Sequence, residues 1–348
     1  MIGALLLKTV VGSIILALIA IFFGLLFKGI DRKLVARMQG RVGPPIRQPF
    51  LDTVKLMNKE TVVPENAVKW MYNLAPIICL TASILLLLYI PIAGAKPLLY
   101  GHGDVILVLY IFIIPALAMV AGGFASGSPF ATVGAQREMV TMASYEFPLA
   151  VIIIALAWKL NEKIGGDVFS LYFISQHPIW ENVGLLGLIG ALILLFALVV
   201  VTPGELAKIP FDVAEAETEI AHGLLAEYSG RNLALFYIAD GVRIFAMASL
   251  IIALFFPYNI TPLLKQYISF DFLGSYSWIA VFIIDFLFFL LKVFLVMLFS
   301  ITLVRAGMAR LRITQVVTVY WITITLIALL GLVLLMWDNQ FNIELGWW

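Results

Sequence analysis

The sequence is short of the residues that build redox or metal centres. It has one cysteine, Cys79, in an apolar run. One cysteine allows no intrachain disulfide, no four-cysteine cluster and no zinc ribbon. The three histidines are scattered, so no cofactor is expected in this chain. Charge is scarce too. Only 12% of residues are charged and the formal net charge is +1, which leaves no electrostatic footprint for nucleic acid. Inverted repeats and paired Gly/Pro-broken apolar segments are also missing, which argues against an autonomous transporter.

What the chain has in excess is hydrocarbon. Hydrophobic residues make up 63% of its 348 positions and mean hydropathy is +1.06. A soluble domain holds about 45–50% apolar residues, so this is an integral membrane protein. Eight segments reach the roughly 20 apolar residues that a bilayer core demands: 4–27, 74–93, 105–124, 143–160, 183–202, 235–256, 277–303 and 316–337. The fold class is all-α, with eight transmembrane helices in a single membrane domain over 1–348. The first segment is read as a retained span, because its run after Lys8 is too long for a signal peptide and lacks a small-residue cleavage site. Lys8 itself is near enough to the end of the span to snorkel.

The loops 28–73, 125–142, 203–234 and 304–315 gather 15 of the 22 lysines and arginines. The positive-inside rule makes them cytoplasmic and puts both termini outside. A prokaryotic cytoplasmic membrane is the expected location. Trp158, Trp180, Trp278, Trp337, Trp347 and Trp348 fall near the outer interface, as an aromatic belt does.

In the first cytoplasmic loop, Gly43-Pro44-Pro45 forces a turn. Phe50, Leu51, Val54 and Met57 then recur at helical spacing, with Asp52, Lys55 and Lys59 on the other arc. The pattern predicts an amphipathic helix at the interface. Two uses fit it, an anchor for anionic lipid and a docking surface for a cytoplasmic subunit. Mixed charge favours docking, because a lipid anchor needs only positive charge.

Ionisable residues within a span cost at least about 2.5–3.5 kcal/mol each, so they are suspects for function. Glu146 stands two residues before Pro148 with no partner on its own helix. Asp240 and Arg243 are three apart and placed to pair. Asp285 and Lys292, seven apart, form a second candidate pair. For both pairs the plain alternative is structural glue.

The densest cluster of carboxylates is DVAEAETEIAHGLLAEYSG, Asp212 to Gly230, with five of them and one histidine between apolar runs. Wound as a helix with Pro210 in its first turn, it gathers Asp212, Glu215, Glu219 and His222 within an arc of about 80°. Glu217 falls opposite and Glu227 to one side. Like charges at this spacing repel, and burial beside the bilayer adds desolvation. Both raise carboxylate proton affinity, so the row is a candidate proton path. The alternative is a solvated acidic face.

PFDVAEAETEIAHGLLAEYSG resembles the acidic loop of the subunit 1 family of respiratory complex I. It is more similar to the matching membrane subunit of energy-converting nickel–iron hydrogenases and formate hydrogenlyase. RVGPPIRQPFLDTVKLMNKE, the stretch around Arg137, Glu138 and Glu146, and VRAGMARLRITQ fit the family in the same order. Eight spans with this orientation also match. Two departures from the quinone-using branch stand out: a shorter first loop without a second Gly-Pro element, and Ala239-Asp240-Gly241 in place of Ala-Glu-Tyr. Both are similar to the hydrogenase branch.

The resemblance implies a non-catalytic subunit of an oxidoreductase complex. It would anchor a peripheral arm whose subunits carry iron–sulfur clusters and nickel–iron, beside antiporter-like membrane subunits. The family's glutamate-rich channel maps onto Glu146, Glu215, Glu217, Glu219 and Glu227, with His222, Asp212 and Asp240 added as proton-path candidates. Arg41, Gly43, Pro44, Asp52, Lys55, Glu60, Arg137 and Glu138 fall at the expected junction with the peripheral arm. A sulfur-reducing complex of the same build and a quinone-reducing one are the alternatives.

Overall fold

The computed structural model describes residues 2–101, 105–164, 169–265 and 277–341. Eight helical spans are long and apolar enough to cross a bilayer, and no strand occurs among the described residues. Helices are the expected solution, because backbone polar groups in lipid must be satisfied within the segment. The first span is α1 (Ile2–Met38), followed by the short α2 (Gln48–Met57). Then come α3 (Lys69–Tyr89), α4 (Val105–Ala125) and α5 (Pro129–Lys163). A small α6 (Leu171–Gln176) precedes the fifth span, α7 (Leu185–Glu205), and α8 (Glu217–Ile220) is a single turn before the sixth, α9 (Gly230–Phe255). After α10 (Thr261–Lys265), the seventh span joins α11 (Ser277–Met297), a π-helical turn at Leu298–Thr302, and α12 (Leu303–Gly307). The eighth joins α13 (Ile313–Thr318), a second π-helical turn at Val319–Ile324, and α14 (Thr325–Phe341).

Helix α9 is the axis of the bundle. Its most apolar stretch is 94% buried, against 22% for the first span and 17% for the seventh. A helix that is apolar on all sides belongs in the interior, and the others wrap it. α1 crosses it at Gly24 and Gly241, where a Cβ on Gly24 would lie 2.5 Å from the Gly241 carbonyl oxygen. Small residues of this kind let two membrane helices approach backbone to backbone.

Most spans fall close to the expected segments, but two helices run well beyond them: α1 continues to Met38, where a loop was expected from 28, and α5 starts at Pro129 rather than at 143. The loop expected at 125–142 shrinks to 126–128, and α5 carries its helix well past the apolar run. Arg137 finds a partner in Glu219 of the folded acidic segment and Glu138 is buried, so the helix does not stop where the hydrocarbon does. The amphipathic helix in the first loop forms as α2. Its Phe50 ring packs 5.6 Å from Phe22, while Leu51 and Val54 remain exposed on an outer apolar face.

Trp158 and Trp337 are exposed at the end of the bundle away from the charged loops. Trp180 turns inward and its indole N–H donates to the Phe255 carbonyl. The Trp278 side chain, Trp347 and Trp348 lie outside the described residues.

Candidate functional site

The segment from Leu206 to Ser229 links the fifth and sixth spans, and it is not the single helix on which its charges would align. Val213–Glu215 is a 3-10 turn, α8 is one helical turn, and Ala221 and His222 both take positive φ, at 48° and 73°. Pro210 follows a cis peptide bond in a tight bend rather than opening a helix. Like charges three and four apart disfavour a continuous helix, and the broken path gives the carboxylates separate partners. Asp212 accepts two hydrogen bonds from the Arg310 guanidinium, at 2.9 and 2.6 Å. Glu219 meets Arg137 at 2.5 Å, and Glu217 lies 3.5 Å from His222 Nε2.

The shared arc of Asp212, Glu215, Glu219 and His222 therefore does not form. Asp212 is buried and Glu215 half-buried, while Glu217, Glu219, His222 and Glu227 are exposed on the isolated chain. Burial pushes the Glu215 carboxyl above the usual range; Lys208 and Lys28 oppose the rise, while Asp240 and Asp212 add to it. Beside Glu227, the Tyr72 and Tyr228 rings stack at 4.2 Å, and the Tyr72 hydroxyl donates to the Glu227 carbonyl.

Behind this segment lies a cavity of about 770 Å³. Lys59, Glu217 and His222 stand at its exposed mouth, and Cys79, Met119 and Arg243 at its buried floor. Its wall is laced with ion pairs. Asp240 sits between Lys28 at 2.7 Å and Lys208 at 2.6 Å, and the Lys28 ammonium lies 3.3 Å from the centre of the Tyr237 ring. Asp31 accepts from Arg305 at 2.6 Å and from Thr302, in the π-helical turn, at 2.8 Å. Asp52 turns inward to Arg32 at 3.3 Å and Gln48 at 2.8 Å.

Arg243 and Asp240 do not pair. The Arg243 guanidinium donates instead to the backbone carbonyl of Glu205 and lies 3.5 Å from its Oε1. Neighbouring helices and the loop offer each group an opposite charge from outside its own helix, and in a buried setting those partners win. Asp285 and Lys292 do not form an ion pair either. Asp285 accepts from the backbone N–H of Thr261 at 3.0 Å, and Lys292 donates to the carbonyls of Phe256 and Tyr258 at 2.8 Å each. Helix ends leave backbone groups unpaired, and these two side chains serve such ends.

Three carboxylates, two of them buried, stand outside the cavity lining. Glu146 is half-buried with Oε1 unpartnered. Glu138, expected at the docking junction, is 3% exposed and faces the interior, also with Oε1 unpartnered. Glu205, at 2% exposure, is missed by the sequence reasoning. Its one signal is its place as the first carboxylate after the fifth apolar run. The Tyr145 hydroxyl among them is unpartnered, and its ring meets Tyr320 of the second π-helical turn edge-on at 6.2 Å. Unpartnered buried polar atoms are few in folded proteins and ask for water or a moving proton.

Of the other expected junction residues, Arg41, Lys55 and Glu60 are exposed. Gly43 and Pro44 form a turn pressed on α1, with φ of 71° at Gly43.

Comparison with known proteins agrees with this architecture. A family model described as NADH dehydrogenase matches residues 11–336. A subunit of the NADH-quinone oxidoreductase of Geobacillus thermodenitrificans is 34% identical over 266 residues, covering 73% of this chain and 72% of its own. Hydrogenase-4 component C of Escherichia coli is 34% identical over 243 residues, covering 70% and 74%. Among solved structures, a chain of the membrane-bound sulfane sulfur reductase, an archaeal respiratory membrane complex, superposes with a TM-score of 0.77 at 28% identity, covering 94% of this chain and 99% of that one. The chain belongs to the NADH dehydrogenase family, in company with that NADH-quinone oxidoreductase subunit and with component C of hydrogenase-4.

Proposed function

We propose that this chain is the membrane subunit that seats a peripheral electron-transfer arm and couples its redox chemistry to proton or sodium-ion movement in a hydrogenase-type respiratory complex. The carrying observation is a charged cavity that opens among the loops and reaches Arg243, the partner of Glu205, together with two further carboxylates, Glu138 and Glu146, that each leave one buried oxygen unpartnered. Such groups can hold and release protons, and the chain itself supplies no electron carrier. The basic loops face the cytoplasm in this reading. Exposed Arg41, Lys55, Glu60, Glu217 and Glu227 offer mixed charge to arm subunits that carry iron–sulfur clusters and nickel–iron. Antiporter-like membrane subunits flank the bundle.

The likeness to a sulfane sulfur reductase supports a sulfur-reducing complex of the same build equally well. Cavity size alone would suit a quinone head, since ligand sites run to about 300–1,000 Å³. The ion triad of Lys28, Asp240 and Lys208 in the wall favours a charged, hydrated interior instead.

Mass spectrometry of the intact complex, purified through a tag on this chain, tests the reading. A nickel–iron catalytic subunit together with antiporter-like proteins supports it. A sulfur reductase arm selects the second reading. Quinone-dependent turnover, or ion flux in liposomes from this chain alone, overturns both. In the same complex, Glu146→Gln keeps assembly and lowers the ions moved per electron; unchanged stoichiometry removes Glu146 from the path.

A further inference from the structure

Among the described residues, each ion pair at the cavity wall joins two residues of that wall, with one exception. Lys28 and Lys208 close on Asp240, Arg32 on Asp52, Arg305 on Asp31, Arg310 on Asp212 and His222 on Glu217. Arg243 lines the cavity floor, yet its partner Glu205 lies beyond the wall. Both side chains are 3% exposed. The Arg243 Nε is buried and has no hydrogen-bond partner. The guanidinium thus reaches Glu205 and keeps one buried donor without a partner. Glu138 and Tyr145 on α5 also act on Arg243, and Glu138 and Glu146 act on Glu205.

We infer that Arg243 is the positioning residue through which charge in the cavity sets the protonation of Glu205. This rests on the coupling role proposed above. A negative charge brought to the cavity by the seated arm competes for the guanidinium, which lines the cavity floor. Glu205 then loses its counter-charge in a site of low dielectric, where an unpaired carboxylate is costly. It takes up a proton from water that enters through the mouth. When the cavity charge leaves, Arg243 returns to Glu205 and the proton is released to Glu138 or Glu146. No bond other than O–H forms or breaks, and the electrons stay in the arm.

The test uses the intact complex with Arg243→Met, Arg243→Lys, Glu205→Gln and the neutral double Arg243→Met/Glu205→Gln. Infrared difference spectra between oxidised and reduced complex should show a protonated-carboxyl C=O band that Glu205→Gln abolishes. Arg243→Met should abolish the same band, while Arg243→Lys retains it in weakened form. Ions moved per electron should fall several-fold in Arg243→Met. A purely structural pair behaves differently, because the neutral double then recovers both assembly and coupling. Recovery of coupling in the double, or a band indifferent to Arg243, overturns the inference. If Arg243→Met does not assemble, the band in Arg243→Lys decides. Glu146→Gln separates the two levels: lowered coupling there with normal coupling in Arg243→Met sinks this inference alone, and normal coupling in both sinks the underlying role.

Discussion

Glu215 is the loop carboxylate whose setting most clearly favours a proton. It is half-buried and faces Lys28 from α1, Lys208 and Asp212 from its own segment, and Asp240 from α9. Burial is the largest influence and raises its proton affinity above the ordinary carboxylate value. A group held this way adds stability that is fully present below its unfolded pKa, about 4.3 for glutamate. That stability is lost as pH rises through the raised folded value. The wild-type unfolding temperature should therefore decline over a pH window that begins near the ordinary value and extends upward. Glu215→Gln should flatten this decline, and equal slopes for wild type and variant would mean that Glu215 is ionised in the fold. The sequence made Glu215 legible as a candidate, because acidic residues between apolar runs stand out. Its companions were harder to read. Lys28, Lys208 and Asp240 lie far apart in the chain, and i,i+3 spacing pointed to Arg243 as the partner of Asp240 instead. Helical spacing describes neighbours on one helix, and buried charges here are satisfied between helices.

At the scale of elements, the spans were legible because hydrocarbon length sets them, and the acidic segment was not. Charge repulsion and the turns at Ala221 and His222 break it into short pieces that only tertiary partners explain. Gly223 is the tightest of these points. Its φ is +48°, and a Cβ there would lie 2.0 Å from the Ala214 carbonyl oxygen. Backbone cannot yield at that distance without shifting the segment. Gly223→Ala should cost on the order of 1–3 kcal/mol of local strain and pull the Arg137–Glu219 and Arg310–Asp212 ties out of register. The bundle itself does not depend on this turn. Circular dichroism should therefore show unchanged helicity, while co-purification of peripheral subunits through this chain falls several-fold. Normal co-purification would mean that the segment is not a docking element. The same ties explain the overlong α5: Arg137 lies past the apolar run, where composition signalled a loop, and the Glu219 carboxylate gives that extension something to hold.

Across the whole molecule, the two ends of the bundle are built differently. The loop end is open, hydrated in its chemistry and full of exchangeable charge. Among the described residues, the far end holds a buried pair, Lys159 and Asp338, with Nζ and Oδ2 2.6 Å apart and side chains 2% and 4% exposed. Asp338 also accepts the backbone N–H groups of Gly184 at 2.9 Å and Gly187 at 2.8 Å, so it caps the start of α7. One carboxylate thus fastens the fourth, fifth and eighth spans, the three that carry Glu138, Glu146, Glu205 and Tyr320. Neither residue stands out in the sequence, because each sits at the rim of its apolar run and reads as interfacial. Removing one member of a buried pair costs about 3–5 kcal/mol, but the two members are not equivalent here. Asp338 without Lys159 keeps two backbone donors and the favourable field of a helix N-terminus. Lys159 without Asp338 remains beside two N–H groups that have lost their acceptor. Lys159→Met should therefore lower the unfolding temperature of the detergent-solubilised protein less than Asp338→Leu does. The double variant should fall nearer Asp338→Leu than wild type, because the cap on α7 stays lost. Asp338→Asn, which keeps one acceptor oxygen, should lie between Lys159→Met and Asp338→Leu. If Lys159→Met proves the more damaging of the two, the capping account fails and the pair is a plain charge clamp. If neither substitution changes unfolding, the far end is held by helix packing alone.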